Sequence, residues 1–528
     1  MNGPHKIGGA VKYALAPVFA ALAVGAAPAP APVDLLIRGG TVYTGAGPPF
    51  VGDVAIAGDR IRAVGRRSRV AAKRVIDARG MIVAPGFIDP HTHVGEALAS
   101  DDSAARLVPA FLLQGVTTAL VGNDGAGDPE VGKVLGRAAA RPVGINFAAY
   151  VGFGAVRERV TGASDRAPTE KELARMRAMV AGAMCEGALG LSTGLFYAPQ
   201  SFAKTAEIVA LAREAGRRGG LYDSHIRDES SYSVGLAAAV DEAIAIGREA
   251  RLPVNISHIK ALGVDVQGQA PAIVARIEAA RRSGQKVTAD QYPWSASGTS
   301  LVASLTPLWA QDGGRPALLQ RFGDPALAGR LRAGIADNLR RRGGAESLLI
   351  TEGPLKGRTL AAVAKSRGED PVAAAIGIIR VADPAVASFN QIEPDIRTFM
   401  RRPWVMTGSD ASAGHPRAFG SFARKYSKYV LAERVLTLRQ FIERSSSLAA
   451  ATFGLAGRGR LEPGAFADVV IFDPRRYSAR ATYEQPELPA TGVRTVLVNG
   501  IVAVDNGTIT GKAGGRALPR RPTEGTCP

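Results

Sequence analysis

What the chain lacks narrows it first. Only two cysteines, Cys185 and Cys527, stand in 528 residues. Cys185 reads as a small buried hydrophobe rather than a catalyst. Cys527 lies in a Pro- and Arg-rich tail read as disordered, so no disulfide is established even where the compartment permits one. Aromatic residues make up 6% of the chain and Lys and Arg are scattered, which leaves no stacking platform along a basic groove; no nucleic-acid partner is expected. Beyond the first 30 residues no apolar run reaches membrane-spanning length, so no stable membrane insertion is expected of the mature chain. Acidic residues are outnumbered, 47 against 65 Lys and Arg, giving a formal net charge of +18. That surface favours encounters with anionic partners.

What is present is a globular composition, 46% hydrophobic and 21% charged, long enough for one large domain with appendages. The start reads as a secretory leader: Lys6 and Lys12, an apolar stretch from Ala14 to Val24, then Gly25-Ala26-Ala27 where a peptidase cuts. Cleavage rather than anchoring is expected, and with it export, to the periplasm in a Gram-negative source.

Histidine is scarce too, six in all: His5, His91, His93, His225, His258 and His415. His91 and His93 close the run Pro85-Gly86-Phe87-Ile88-Asp89-Pro90-His91-Thr92-His93, and residues two apart on a strand point the same way. His225, in Ser224-His225-Ile226-Arg227, and His258, in Ser257-His258-Ile259-Lys260, each end an apolar strand. Either alone reads as a satisfied core histidine. Four imidazoles at strand ends of one barrel make a metal site, with zinc the usual choice.

The barrel itself follows from periodicity. Apolar runs alternate with helical stretches, and eight candidate strands end near His93, Asp124, Val151, Ser192, His225, His258, Asp290 and Asp410. Helices are expected over Leu107–Leu113, Glu170–Met184, Ala206–Arg218, Val234–Arg248 and Ala272–Arg282. The fold class is α/β, a TIM-like (β/α)8 barrel whose site sits at the carboxyl ends of the strands, with a small β-sandwich domain built from both chain termini. The expected divisions are leader and linker 1–32, first sandwich part 33–84, barrel 85–460 with an insertion at about 301–350, second sandwich part 461–515, and a disordered tail 516–528.

Asp410 ends the last strand in Val405-Met406-Thr407-Gly408-Ser409-Asp410. A carboxylate there can cap the following turn, or relay a proton beside a metal-activated water; the second reading is preferred.

Four His and one Asp in this order, on a barrel between split β segments, resemble the amidohydrolase superfamily, and more narrowly the D-aminoacylase (N-acyl-D-amino-acid deacylase) family. The resemblance runs from about Val33 to Asn506 and includes Gly190-Leu191-Ser192-Thr193-Gly194-Leu195 and Gly464-Ala465-Phe466-Ala467-Asp468. It implies a hydrolase removing the acyl group from N-acyl-D-amino acids by metal-activated water, with one or two Zn2+ ions, another divalent metal being admissible. The ligands would be His225, His258 and a bridging residue, with a second position at His91 and His93, and Asp410 would be catalytic.

The family's bridging cysteine is here Asp124, in Asn123-Asp124-Gly125, which can supply a carboxylate ligand or form a plain Asx turn. Arg417 and Lys260 match positions the family uses for the substrate carboxylate, Arg417 ranking first for its forked donors; Tyr292 adds a hydroxyl, and Ser297 is a weaker candidate. Val94–Ser100 separates His93 from Asp101-Asp102, and Phe153 stands where the family often has His. The alternatives are another amidohydrolase, such as a dipeptidase or cyclic-amide hydrolase, or a non-catalytic barrel used as a binding module. No Lys closes the fourth strand to serve as the carboxylated bridge of many such enzymes.

Overall fold

The computed structural model describes residues 1, 3, 8–10, 32–68 and 70–527, so nearly all of the expected leader, and His5 with it, lies outside the described residues. Eight parallel strands form the barrel: Phe87–Asp89, Val116–Val121, Asn146–Ala149 continued by Val151–Gly152, Gly190–Gly194, Leu221–His225, Val254–Ile256, Val287–Gln291 and Val405–Thr407. Each is almost wholly buried, as strands covered on both faces must be. Their pairing runs in sequence order. The ring closes between first and last: Asp410 N donates to His91 O at 2.9 Å and His93 N to Ala411 O at 3.1 Å. His91 and His93 thus stand just past the first strand, in an extension held by the eighth.

The barrel helices fall where the periodicity places them, among them Glu170–Cys185, Thr205–Arg217, Leu236–Ala250 and Ala270–Arg282. Glu170–Cys185 starts at a capping box, Thr169 accepting from Glu172 N while the Glu172 side chain accepts from Thr169 N. The expected helix at Leu107–Leu113 is two short turns instead, Ser103–Arg106 and Pro109–Leu112. Pro109 has no N–H to carry the first turn into the second.

Strands from both ends of the chain share one nine-stranded sheet beside the barrel. The strand Val33–Val42 pairs with Ala72–Asp77 over its first half and with Ile82–Pro85 at its end. The switch falls at Gly39-Gly40. A Cβ on Gly40 would lie 2.5 Å from Val83, so only glycine lets the strand turn this corner. Ile82–Pro85 then pairs with Val469–Phe472, which joins the two termini.

The insertion is longer than 301–350. A three-stranded antiparallel sheet, Ala296–Ser300, Leu348–Ile350 and Ala385–Phe389, begins and ends it, with helices between and its own apolar core. The third strand is distant in sequence from the first, which hides it behind the helices Leu360–Arg367 and Pro371–Val381.

The tail is ordered, a correction to the reading of 516–528. It straps the end of the barrel opposite the strand carboxyl ends: Leu518 N donates to Phe147 O, Arg520 N to Gly187 O, and Thr523 N to Arg218 O. Cys527 forms a disulfide with Cys185 across 342 residues of sequence. Main-chain hydrogen bonds, which composition does not reveal, hold the segment down.

Candidate active site

The carboxyl ends of the strands open into a cavity of about 480 Å³ between barrel and insertion. At its floor Asp124 is ringed by imidazoles. Its carboxylate lies 3.4 Å from His91 Nε2, 3.5 Å from His93 Nε2, 3.6 Å from His225 Nδ1 and 3.7 Å from His258 Nε2. His258 Nε2 is 3.1 Å from His225 Nδ1. Asp124 thus stands at the centre of the four rings.

The segment Gly190–Gly194 holds that turn from below. Ser192 Oγ accepts from Gly125 N at 3.1 Å, and Gln200 Nε2 donates to Asp124 O at 2.9 Å. Gly194 lies so close that a Cβ there would meet Asp124 O at 2.4 Å. Asp124, His258 and Asp410 all take positive φ, at 57°, 34° and 51°. Left-handed backbone in non-glycine residues is strained, and here it gathers at three side chains aimed at one point.

Beneath lies a layer of buried acids and amides. Asn255 Nδ2 bridges Asp223 and Asp290 at 2.8 Å each, Asn123 Nδ2 donates to Asp223, and Asp290 accepts from His258 N at 2.9 Å. Asp89 accepts from Ser409 N at 3.0 Å. Burial pushes the Asp89 carboxyl up to about 7 and that of Asp223 up to about 6.

The groups around Asp124 divide: burial lowers the His225 ring, whereas His91, His258 and Asp410 go against it. Burial opposes charge on His91, but Asp124 and Asp410 outweigh it and raise the ring to about 10. Burial and Lys260 oppose charge on His258, and Glu229 and Asp410 raise it to about 9 against them. Asp410 is buried as well, yet Arg417 and His258 hold its carboxyl far below the usual carboxylate range.

Asp410 Oδ1 reaches His93 Nε2 at 3.2 Å, and its Oδ2 meets Arg417 Nη1 at 2.6 Å. Arg417 Nη2 donates to Ser412 Oγ at 2.8 Å, while its buried Nε has no partner. Lys260 Nζ bonds Glu229 at 2.6 Å and sits 2.7 Å from His258 Nδ1, so it braces the His258 ring as well as facing the cavity. Tyr292 and Ser297 line the cavity, their hydroxyls accepting from Gln391 Nε2 and Asn390 Nδ2. His415 also lines it, apart from the four imidazoles around Asp124, and its Nδ1 accepts from Arg417 N. Glu229 lines the cavity without having been legible in the sequence, because Arg227-Asp228-Glu229 carries no strand-end signal.

The sequence pattern described as "Amidohydrolase family" matches residues 74–504, most of the chain. The chain belongs to the amidohydrolase family. This amidohydrolase is 34% identical over 518 residues to the D-aminoacylase of Alcaligenes xylosoxydans xylosoxydans, covering 93% of this chain and 98% of that one. It is 36% identical to the N-acyl-D-glutamate deacylase of the same organism, with 89% and 93% covered. It is also similar to the solved N-acyl-D-glutamate deacylase of Bordetella bronchiseptica in complex with zinc and a phosphonate mimic of the tetrahedral intermediate. The TM-score is 0.79 at 32% identity, over 93% of this chain and 100% of that one.

The donors here fit such a metal. Both ring nitrogens of His91, Asp124 Oδ1 and His225 Nε2 are buried without a hydrogen-bond partner. Ligand atoms of His91, Asp124, His258 and Asp410 all lie within 4.8 Å of one another. Orphaned buried polar atoms of this kind are costly unless something binds them.

Proposed function

We propose that this amidohydrolase is a metal-dependent amide hydrolase that removes the acyl group from N-acyl-D-amino acids. The observation that carries the reading is the ring of four imidazoles about Asp124, with Asp410 on its edge and the cations Arg417 and Lys260 on the same cavity wall. The family relatives named as D-aminoacylase and N-acyl-D-glutamate deacylase support the D-configured substrate.

A divalent ion, zinc by its N and O donors, would be held by His225, His258 and Asp124, with a second position at His91 and His93; bound there, it lowers a water's pKa toward ~7 and polarises the acyl carbonyl. Asp410, kept ionised, accepts the water's proton as its oxygen bonds to the carbonyl carbon. It returns that proton to nitrogen as the C–N bond breaks, the water's second proton passes from the new carboxylic acid to the amine, and carboxylate and ammonium leave. Arg417 fixes Oδ2 of Asp410 and turns Oδ1 toward the ligands. Arg417, with Tyr292 and Lys260 on the same cavity wall, grips the substrate α-carboxylate. Cleavage of N-acetyl-D-amino acids beside their L-enantiomers, with and without a chelator, tests this. Chelator-sensitive acetate release from the D-series supports it; equal turnover of both series, or indifference to the chelator, overturns it.

We further propose that the chain is exported. A Cys185–Cys527 disulfide suits an oxidising compartment, and the apolar stretch Ala14–Val24 suits a leader. The N-terminal sequence and cell fraction of the mature protein test it; an uncleaved cytoplasmic protein would contradict it.

A further inference from the structure

Three side chains with a fixed positive charge line the cavity: Lys260, Arg417 and Arg342. Two are spoken for. Lys260 pairs with Glu229 and Arg417 with Asp410, each at 2.6 Å. Arg342 pairs with no carboxylate among the described residues, although it is 1% exposed. Its Nε donates to Ser304 O and its Nη1 to Ser388 Oγ, both at 3.1 Å and both neutral acceptors, and its Nη2 donates to no described residue. Its neighbours Arg340 and Arg341 bind Asp265 and Asp337 instead. A buried guanidinium without a counter-charge is costly, and the ring of Tyr232, 5.6 Å away, offsets only part of that cost.

The placement points toward the metal centre. Ser388, which holds Arg342, is the cross-strand partner of Ser297 in the insertion's sheet, and Thr299 shares their face. Thr299 Oγ1 donates to Tyr197 Oη at 3.3 Å, and the Tyr197 ring packs 4.9 Å from that of His225. A second path runs through aromatic rings. Phe196 lies 5.8 Å from His225, and Tyr232 lies 5.6 Å from Phe196. Arg342 thus forms the far wall of the cavity whose floor is the metal centre. Glu352, also on the wall, is exposed and makes no ion pair among the described residues.

We infer that Arg342 binds a second carboxylate of the substrate, so that this enzyme acts on dicarboxylic N-acyl-D-amino acids. The inference rests on the deacylase reading above. That second carboxylate belongs either to the amino-acid side chain or to the acyl group, and the same guanidinium fork would hold it in both cases.

The test is kcat/KM for N-acetyl-D-glutamate, N-acetyl-D-aspartate, N-acetyl-D-glutamine, N-acetyl-D-methionine and N-succinyl-D-methionine, on the metal-loaded enzyme and its Arg342→Met and Arg342→Lys variants. The dicarboxylic substrates should exceed the two neutral acetyl substrates by roughly 10²-fold or more. Arg342→Met should erase that margin, chiefly through KM, while leaving the neutral substrates within a few-fold, and Arg342→Lys should restore part of it. A margin for glutamate or aspartate assigns the carboxylate to the side chain; one for the succinyl substrate assigns it to the acyl group. Neutral substrates cleaved as well as the charged ones would overturn the inference and leave the deacylase reading intact. So would an Arg342→Met loss equal across the panel, which marks a structural role. No turnover of any member would overturn the deacylase reading and this inference with it.

Discussion

Arg417 Nη1 lies 2.6 Å from Asp410 Oδ2, with both side chains buried where the eighth strand meets the cavity. Burial alone would push the Asp410 carboxyl up, and Arg417 is the largest influence holding it down. Arg417→Met should therefore raise that carboxyl and move the acid limb of the kcat/KM profile to higher pH. Asp410→Asn should lower kcat by about 10²–10⁴-fold with bound metal retained. Rate profiles across pH, with metal content measured on the same samples, check both; an unmoved acid limb in Arg417→Met would separate the two residues.

The carboxylate of Asp124 sits 3.4–3.7 Å from four imidazoles. Asp124→Cys keeps a ligand but makes it soft, so zinc should gain on manganese and cobalt in competition experiments. Asp124→Ala should lose metal outright. Unchanged metal preference in the cysteine variant would place Asp124 outside the ligand set.

In the metal-free protein His91 is raised to about 10 and His258 to about 9, so both carry protons near neutral pH. A metal must displace them. Apparent affinity should rise with pH until those values are passed, and calorimetry in buffers of different ionisation enthalpy should register proton release near neutrality. Affinity independent of pH between 6 and ~9 would contradict the charge assignment.

A methyl group at Gly194 would press on the carbonyl of Asp124. Gly194→Ala should weaken metal binding by roughly 10-fold or more while the barrel stays folded, as for other residues that orient ligands. Metal titration and circular dichroism together check this.

The disulfide Cys185–Cys527 lies at the end of the barrel opposite the site. Cys527→Ser should lower the free energy of unfolding by roughly 2–5 kcal/mol and leave kcat/KM unchanged. Denaturant melts of the variant beside the parent protein measure the first, and steady-state rates the second.

The legibility of this chain followed chemistry at strand ends. His91, His93, His225, His258 and Asp410 could be read because each follows an apolar run, and in a parallel barrel those ends converge. Glu229 could not, since it lies in a loop beyond His225 and looks like any surface acid until Lys260 and His258 are found against it. Arg342 closes the run Arg340-Arg341-Arg342 at a helix end, a pattern that reads as solvated, and only the three-dimensional path shows the third side chain turning inward. The tail escaped for a related reason. Its partners Phe147, Gly187 and Arg218 are scattered along the chain, and main-chain hydrogen bonds to them leave no mark on composition.

The most direct test of the central claim is elemental analysis of the purified protein, handled without added metal, beside Asp124→Ala. The site described here predicts at least about one equivalent of tightly held zinc in the parent protein and its loss in the variant. A parent protein free of divalent metal that still cleaved N-acetyl-D-amino acids would contradict it.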